Sequence, residues 1–283
     1  MSTREVKNLF FKNGSRIAAF LVLAAFLFIL SNIFIKGISA VSFNFIFKPS
    51  SNFGASGGIF YQLVGSTLML FFAAVLCVPI ALGTAIFKSE FIRNKKVQLY
   101  SDLLIYGLNG IPSIVYGIFG LIFFVNVLNT GTSWFVGSVI LAIMMTPTVA
   151  LTSYSALIGI PKIYKENALA LGLTRWQMIK TVLIPQGIPG TITGLFLAVA
   201  RALGETAPIM FIATAFSGVE FPGSFLEPIA TLPTHILTLA QNAGDPNALK
   251  NAWGTSLVLV LLVGISSTVA LVIRLKYNVK NQD

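Results

Sequence analysis

Along this chain long apolar runs alternate with short polar, basic intervals. The runs cover residues 17–35, 59–87, 103–128, 134–158, 192–216 and 253–273. About 20 apolar residues are enough to cross a bilayer as a helix, so each run predicts a transmembrane helix. The first follows Arg4, Lys7, Lys12 and Arg16, as a signal peptide would. Its apolar core exceeds the roughly 7–15 residues of such a segment, so a retained helix is expected. Four runs contain a proline: Pro79, Pro112, Pro147 and Pro208. Proline removes a backbone donor and bends a helix, and neighbouring helices can satisfy the carbonyls it frees. These are either ordinary membrane-helix prolines or kinks around a pathway.

The polar intervals differ in charge. Fifteen Lys and Arg residues lie in the N-terminal segment, the intervals after the second and fourth runs, and the C-terminus. The remaining intervals hold three, Lys36, Lys48 and Lys250, and Arg201 falls inside the fifth run. The basic side is cytoplasmic by the positive-inside rule, which places both termini in the cytoplasm. Composition agrees: 55% of residues are hydrophobic and 10% charged, against about 25% charged in soluble domains. The net charge of +10 is accounted for by topology, and no nucleic-acid partner is expected. A single cysteine, Cys77, excludes an intramolecular disulfide and a multi-cysteine metal site, and one histidine, His235, leaves little room for histidine-based chemistry. His235 is read as a solvated residue of an outer loop. Trp134 and Trp253 stand at outer span ends, as interfacial aromatics do.

The interval at 159–189 is long for a structureless connection. Pro161 can open a helical turn, with Tyr164, Ala168 and Leu171 following at helical spacing. Gly172 is a C-cap candidate, and Thr174 an N-cap candidate for a second helix. On that helix Trp176, Ile179 and Leu183 share a face, with Trp176 expected to pack against the helix pair. Pro185 and Pro189 are expected to end it before the membrane is re-entered. Two short helices joined by a tight turn would either lie on the membrane surface or offer a docking surface to a soluble partner.

Here the sequence resembles the permease subunits of ABC importers. Their cytoplasmic signature reads Glu-Ala-Ala, three residues, Gly, nine residues, Ile-x-Leu-Pro. This chain has Glu166, Asn167 and Ala168, then Gly172, then Val182, Leu183, Ile184 and Pro185. Asn167 replaces the middle alanine, and Val182 and Ile184 are conservative changes. Arg201 followed by Gly204–Pro208 ("GETAP"), the stretch 110–120 and the stretch 228–240 are similar to phosphate permeases of the PstA type.

The resemblance implies an all-α integral membrane protein of six transmembrane helices with the type I ABC importer permease architecture. An N-terminal part (1–58) would hold the first helix and an outer loop. A permease domain (59–274) would carry the cytoplasmic coupling loop 159–189, and a tail (275–283) would follow. The implied coupling residues are Glu166, Ala168, Gly172 and Pro185. Implied partners are a second, PstC-like permease subunit, a PstB-like dimer of ATPase subunits, an extracytoplasmic PstS-like phosphate-binding protein, and membrane lipid. ATP and Mg would be bound by the ATPase and no cofactor by this chain, which contains no G-x-x-x-x-G-K-[ST] phosphate loop. The implied location is the plasma (inner) membrane of a prokaryote.

Three other readings are weighed. Residues 54–58 read "GASGG", a G-x-S-x-G match, and Ser56 with His235 could make an intramembrane serine protease; a Gly/Ser-rich outer loop explains the same residues. A secondary transporter would show internal repeats, and none is seen. A permease for sulfate, molybdate or phosphonate is the nearest alternative, and only the "RALGETAP" neighbourhood argues against it.

Arg201 and Glu205 stand four apart, hence on one helix face, with Gly190, Gly194, Ala198 and Ala202 alongside. Small residues let helices approach closely, so this face is expected to point into the bundle. An arginine at mid-span costs about 2.5–3.5 kcal/mol on insertion scales. Either the pair fixes helix packing, or Arg201 meets phosphate, which a guanidinium fork matches in a bidentate way. Glu205 would then hold Arg201 when the path is empty, and Thr206 would add a hydrogen bond.

Overall fold

The computed structural model describes residues 3–214 and 221–280, with side chains described from 11 to 276. The end of the fifth run (215–216), the side chains of Arg4, Lys7 and Lys280, and the last three residues of the tail lie outside the described residues.

The described chain is helical almost throughout. Helix α1 (Thr3–Ile38) leads through the short α2 (Phe43–Phe47) and a hairpin of β1 (Ser50–Ser51) and β2 (Ser56–Gly57) into α3 (Phe60–Glu90). Next come α4 (Lys95–Gly110) and α5 (Ser113–Gly120), the latter continued by a π-helical stretch, Leu121–Val127. Then follow α6 (Trp134–Ile158), α7 (Lys162–Ala170) and α8 (Arg175–Met178), which passes through a second π-helical stretch, Ile179–Leu183, into α9 (Ile184–Leu203). The chain closes with α10 (Ala207–Ile212), α11 (Leu232–Gln241) and α12 (Pro246–Lys280).

Among the described residues five helices are long and apolar enough to cross a membrane, and one bent helix pair passes the same test when taken together, as a broken span or a re-entrant loop. The third run is not straight: α4 and α5 meet at 88°. Ile111 and Pro112 take extended backbone angles between them, because Pro112 disfavours helix in the residue before it. By contrast, α3 and α6 run on through Pro79 and Pro147. In α6, Thr146 Oγ1 bonds the Ala142 carbonyl just before Pro147.

The fifth crossing is also displaced from its run. It extends from Arg175 to Leu203, and Pro185 and Pro189 lie inside it. Pro185 follows directly on the π-helical stretch, whose altered register lets the helix continue past the missing N–H. Gly204 ends the helix, and Thr206 opens the separate α10.

The most enclosed helix is α6, and α1 is the least. The core joins Met69, Ala73 and Cys77 of α3 to Ile140, Leu141 and Met145 of α6, with α9 and α10 closing it. Helix α1 leans on α12, where Lys36 Nζ stands 4.8 Å from the Trp253 ring. The hairpin, α11 and the start of α12 gather at one end, tied by the Asn251 amide donating to the Gly54 carbonyl at 2.9 Å. The far end of α3 meets α7, where Lys165 donates to Glu90 at 2.5 Å. The two groups of intervals separated by charge therefore occupy opposite ends of the bundle.

Two expectations about outer residues change. His235 is on α11 and buried, and burial pushes its imidazole down to about 4. Trp134 is buried rather than interfacial, with its indole N–H donating to the Ser224 carbonyl at 2.9 Å.

Candidate functional site

Two places gather the residues singled out by sequence. The first is the helix pair at the α7 end. Pro161 is the N-cap of α7, extended and ready to lead into the helix. At its other end Gly172 has φ +80°. The Leu173 N–H reaches the Ala168 carbonyl (3.2 Å) and the Gly172 N–H the Leu169 carbonyl (3.0 Å), which together make a Schellman motif. No side chain crowds Gly172; the positive φ alone calls for glycine. Two residues on, Thr174 and Gln177 form a complete capping box that starts α8.

Of the predicted coupling residues, Ala168 is buried against Leu157, Met178, Ile179 and Leu183, and Glu166 is exposed. Pro185 is within α9 and away from the turn. The predicted shared face is split: Ile179 and Leu183 are buried, but Trp176 is 60% exposed, with Lys180 Nζ 5.0 Å from its ring. Tyr164 and Leu171 are exposed as well, as are Ile163 and Leu169. An uncovered apolar surface thus surrounds a rigid turn.

The second place is the end of α9. Its small-residue stripe does pack tightly, against α6: a side chain at Gly194 would stand 1.7 Å from Thr152 Oγ1, and one at Gly190 2.2 Å from the Ala156 β-carbon. Arg201 lies just off this stripe, in the last turn of α9, where the partial negative charge of the helix end favours a cation. Its side chain is 49% exposed, so this chain alone does not enclose it. Glu205 follows the helix end, and its carboxylate oxygen lies 3.7 Å from Arg201 Nε. Thr206 Oγ1 faces the Gly204 carbonyl at 3.5 Å.

Sequence reasoning missed two members of this site. Arg201 Nη1 donates to Asn109 Oδ1 at 3.3 Å, and Thr148 Oγ1 donates to the same oxygen at 3.2 Å. Asn109 is on the last turn of α4, beside the break at Pro112. Its polarity inside an apolar run was the available signal. The cleft beside Arg201, Glu205 and Thr148 has a volume of about 10 Å³, roughly what one water needs.

The protease reading finds no support in the geometry. Ser56 bonds Ser51 and Asn52, whereas the His235 ring faces the Gln62 amide at 3.5 Å. Among the described residues no group of three or more His, Cys, Asp or Glu could hold a metal.

Comparison with known proteins gives a consistent result. Residues 78–275 match the family model described as binding-protein-dependent transport system inner membrane component. The chain is 36% identical over 259 residues to the probable ABC transporter permease protein YqgI of Bacillus subtilis strain 168, covering 87% of this chain and 88% of that one. It is 31% identical over 289 residues to the phosphate transport system permease protein PstA of Yersinia pestis, covering 96% and 94%. Among solved structures, it superposes on a chain of a bacterial alginate ABC transporter with a TM-score of 0.60 at 15% identity, covering 97% and 95%. A chain of the MetNI methionine ABC transporter gives 0.57 at 19% identity, covering 77% and 93%. These last two likenesses concern the fold, which is that of the type I importer permeases. The chain is therefore a transport subunit, with ATP hydrolysis left to a separate subunit, and belongs to the binding-protein-dependent inner-membrane permeases of ABC transporters.

Proposed function

We propose that this chain is one of two permease subunits of an ATP-driven phosphate importer. The observation that carries the reading is the Arg201 guanidinium, half exposed within a transmembrane bundle, with acceptors at Glu205 and Asn109. The likeness to PstA supports phosphate as cargo. Glu205 adds a chemical reason: at neutral pH inorganic phosphate still carries protons that a carboxylate can accept, whereas sulfate and molybdate do not. A fully deprotonated oxyanion would meet Glu205 as a like charge. A permease for another oxyanion is the alternative reading, since YqgI carries no substrate in its name.

In this reading the second permease subunit covers the exposed side of Arg201. An extracytoplasmic binding protein delivers phosphate at the hairpin end, and both termini are cytoplasmic. The exposed apolar residues around Gly172 seat in an ATPase subunit, which supplies ATP and Mg. Closure of the ATPase dimer moves α7, and Lys165–Glu90 passes that movement to α3. Arg201 then holds the anion by paired hydrogen bonds, and Glu205, which competes with the anion for Arg201 while accepting a hydrogen bond from its protonated oxygen, keeps that hold weak enough for release.

The test is uptake of inorganic phosphate by the complete transporter. An ammonium cannot reproduce the guanidinium fork, so Arg201→Lys is expected to lose most uptake while subunits still assemble. Glu205→Gln is expected to impair it less. Normal transport by Arg201→Lys, or by Arg201→Met, would leave Arg201 a packing residue.

A further inference from the structure

We infer that Asn109 is a further residue of the anion pathway, and that its side-chain oxygen occupies the place of an oxyanion oxygen while the path is empty. The inference deepens the phosphate reading and rests on it. Two donors from two helices, Arg201 Nη1 on α9 and Thr148 Oγ1 on α6, converge on the single acceptor Asn109 Oδ1 at 3.3 and 3.2 Å. A guanidinium only donates, so the atom facing it is the amide oxygen. Both distances are at the long end of the hydrogen-bond range, and the acceptor is neutral. A charged oxygen makes shorter and stronger bonds with the same donors, so an arriving oxyanion displaces the amide. The terminal amide torsion is broad. A half-turn about it removes the oxygen and presents the Nδ2 donors to the same anion.

The element that carries Asn109 is suited to withdrawing it. Helix α4 ends in the break at Ile111–Pro112, and Ile105 is its one buried residue among those described. What ties it to the bundle is polar. Asp102 pairs with the buried Lys88 of α3, whose Nζ stands 4.1 Å from the Tyr154 ring, and the Gln98 amide donates to the Tyr154 hydroxyl at 3.2 Å. Lys88 is two residues from Glu90, the partner of Lys165 on α7. The end of α3 therefore touches both α7 and the half-helix that brings Asn109 to Arg201, and a displacement of α7 can move Asn109 off the site.

The experiment uses the complete transporter in proteoliposomes, with radiolabelled inorganic phosphate and saturating binding protein, and reads turnover. Asn109→Ala removes the amide that bonds Arg201 and would donate to the anion, and turnover is expected to fall at least about threefold. Asn109→Asp places a permanent carboxylate on Arg201, with an expected fall of about tenfold or more. Adding Glu205→Gln restores the charge balance, so Asn109→Asp/Glu205→Gln is expected to recover a large part of the loss. A merely structural asparagine would give no such rescue. Wild-type turnover in Asn109→Asp, or a double variant no faster than Asn109→Asp, overturns the inference. If Asn109→Asp does not co-purify with its partners, Asn109→Ala decides, and a wild-type rate there overturns it. Arg201→Lys in the same assay separates the two levels. Its normal uptake would remove the phosphate reading itself, whereas its loss beside unaffected Asn109 variants would remove the role of Asn109 alone.

Discussion

At the residue scale, each buried polar group in this apolar bundle must find a partner or carry a cost. His235 carries one: Nε2 of its ring and Oε1 of Gln62 are buried without hydrogen-bond partners. Burial holds the ring neutral down to about 4, below its ordinary 6.5. An opened outer end would bind the proton more readily than the packed one, so the packed form loses stability as pH falls from about 6.5 towards 4 and keeps it in full above that window. Thermal unfolding of the purified protein, followed across this range, is expected to show a midpoint that drops on acidification. In His235→Gln, which cannot titrate, the drop should flatten; an unchanged slope would count against the assignment. Arg201 and Glu205 were legible in the sequence because charges in an apolar run have few explanations. The buried state of His235 was not, because its cover comes from Gly54 and Gln62, far away along the chain. The same holds for Asn109, whose meaning depends on Arg201 and Thr148 lying across from it.

At the element scale, hydropathy located the helices well where they run straight and poorly where they break. The run at 134–158 and helix α6 coincide. The run at 103–128 hides an 88° bend, because apolar content does not report direction. The fifth crossing begins in the amphipathic segment before its run, since the π-helical stretch 179–183 lets one helix pass Pro185. The turn at Gly172 was legible, because capping is local chemistry: a glycine followed two residues later by Thr174 and then Gln177. It makes a sharp prediction. A side chain at Gly172 meets no neighbour but must adopt φ +80°, which costs a β-branched residue at least about 1–2 kcal/mol. Gly172→Val should insert normally and lose ATP-coupled uptake, while Gly172→Asn, tolerant of the left-handed region, should retain much of it. Equal uptake by both variants and the wild type would show that the turn does not matter for coupling.

At the scale of the whole molecule, two independent features divide the chain in the same way. Charge separates a side with fifteen basic residues from one with three. The packing joins the basic intervals after α3 and α6 at one end through Lys165–Glu90, and the hairpin, α11 and the start of α12 at the other. Charge gives the expectation that the basic end faces the cytoplasm, and labelling tests it. The single cysteine, Cys77, is buried in α3 and receives only a weak bond from Thr146 at 3.7 Å, so Cys77→Ala supplies a silent background at little cost in packing. Lys95 and Lys162 at one end, and Ser51 and Asn242 at the other, are all exposed in the structure. Differences in labelling among cysteines at these four positions therefore report the membrane and not burial. In intact cells a membrane-impermeant thiol reagent is expected to modify Ser51→Cys and Asn242→Cys. It should spare Lys95→Cys and Lys162→Cys until the cells are opened. The opposite pattern would turn the molecule over and point the apolar surface around Gly172 away from any ATP-hydrolysing partner, so coupling through that surface would fall with it.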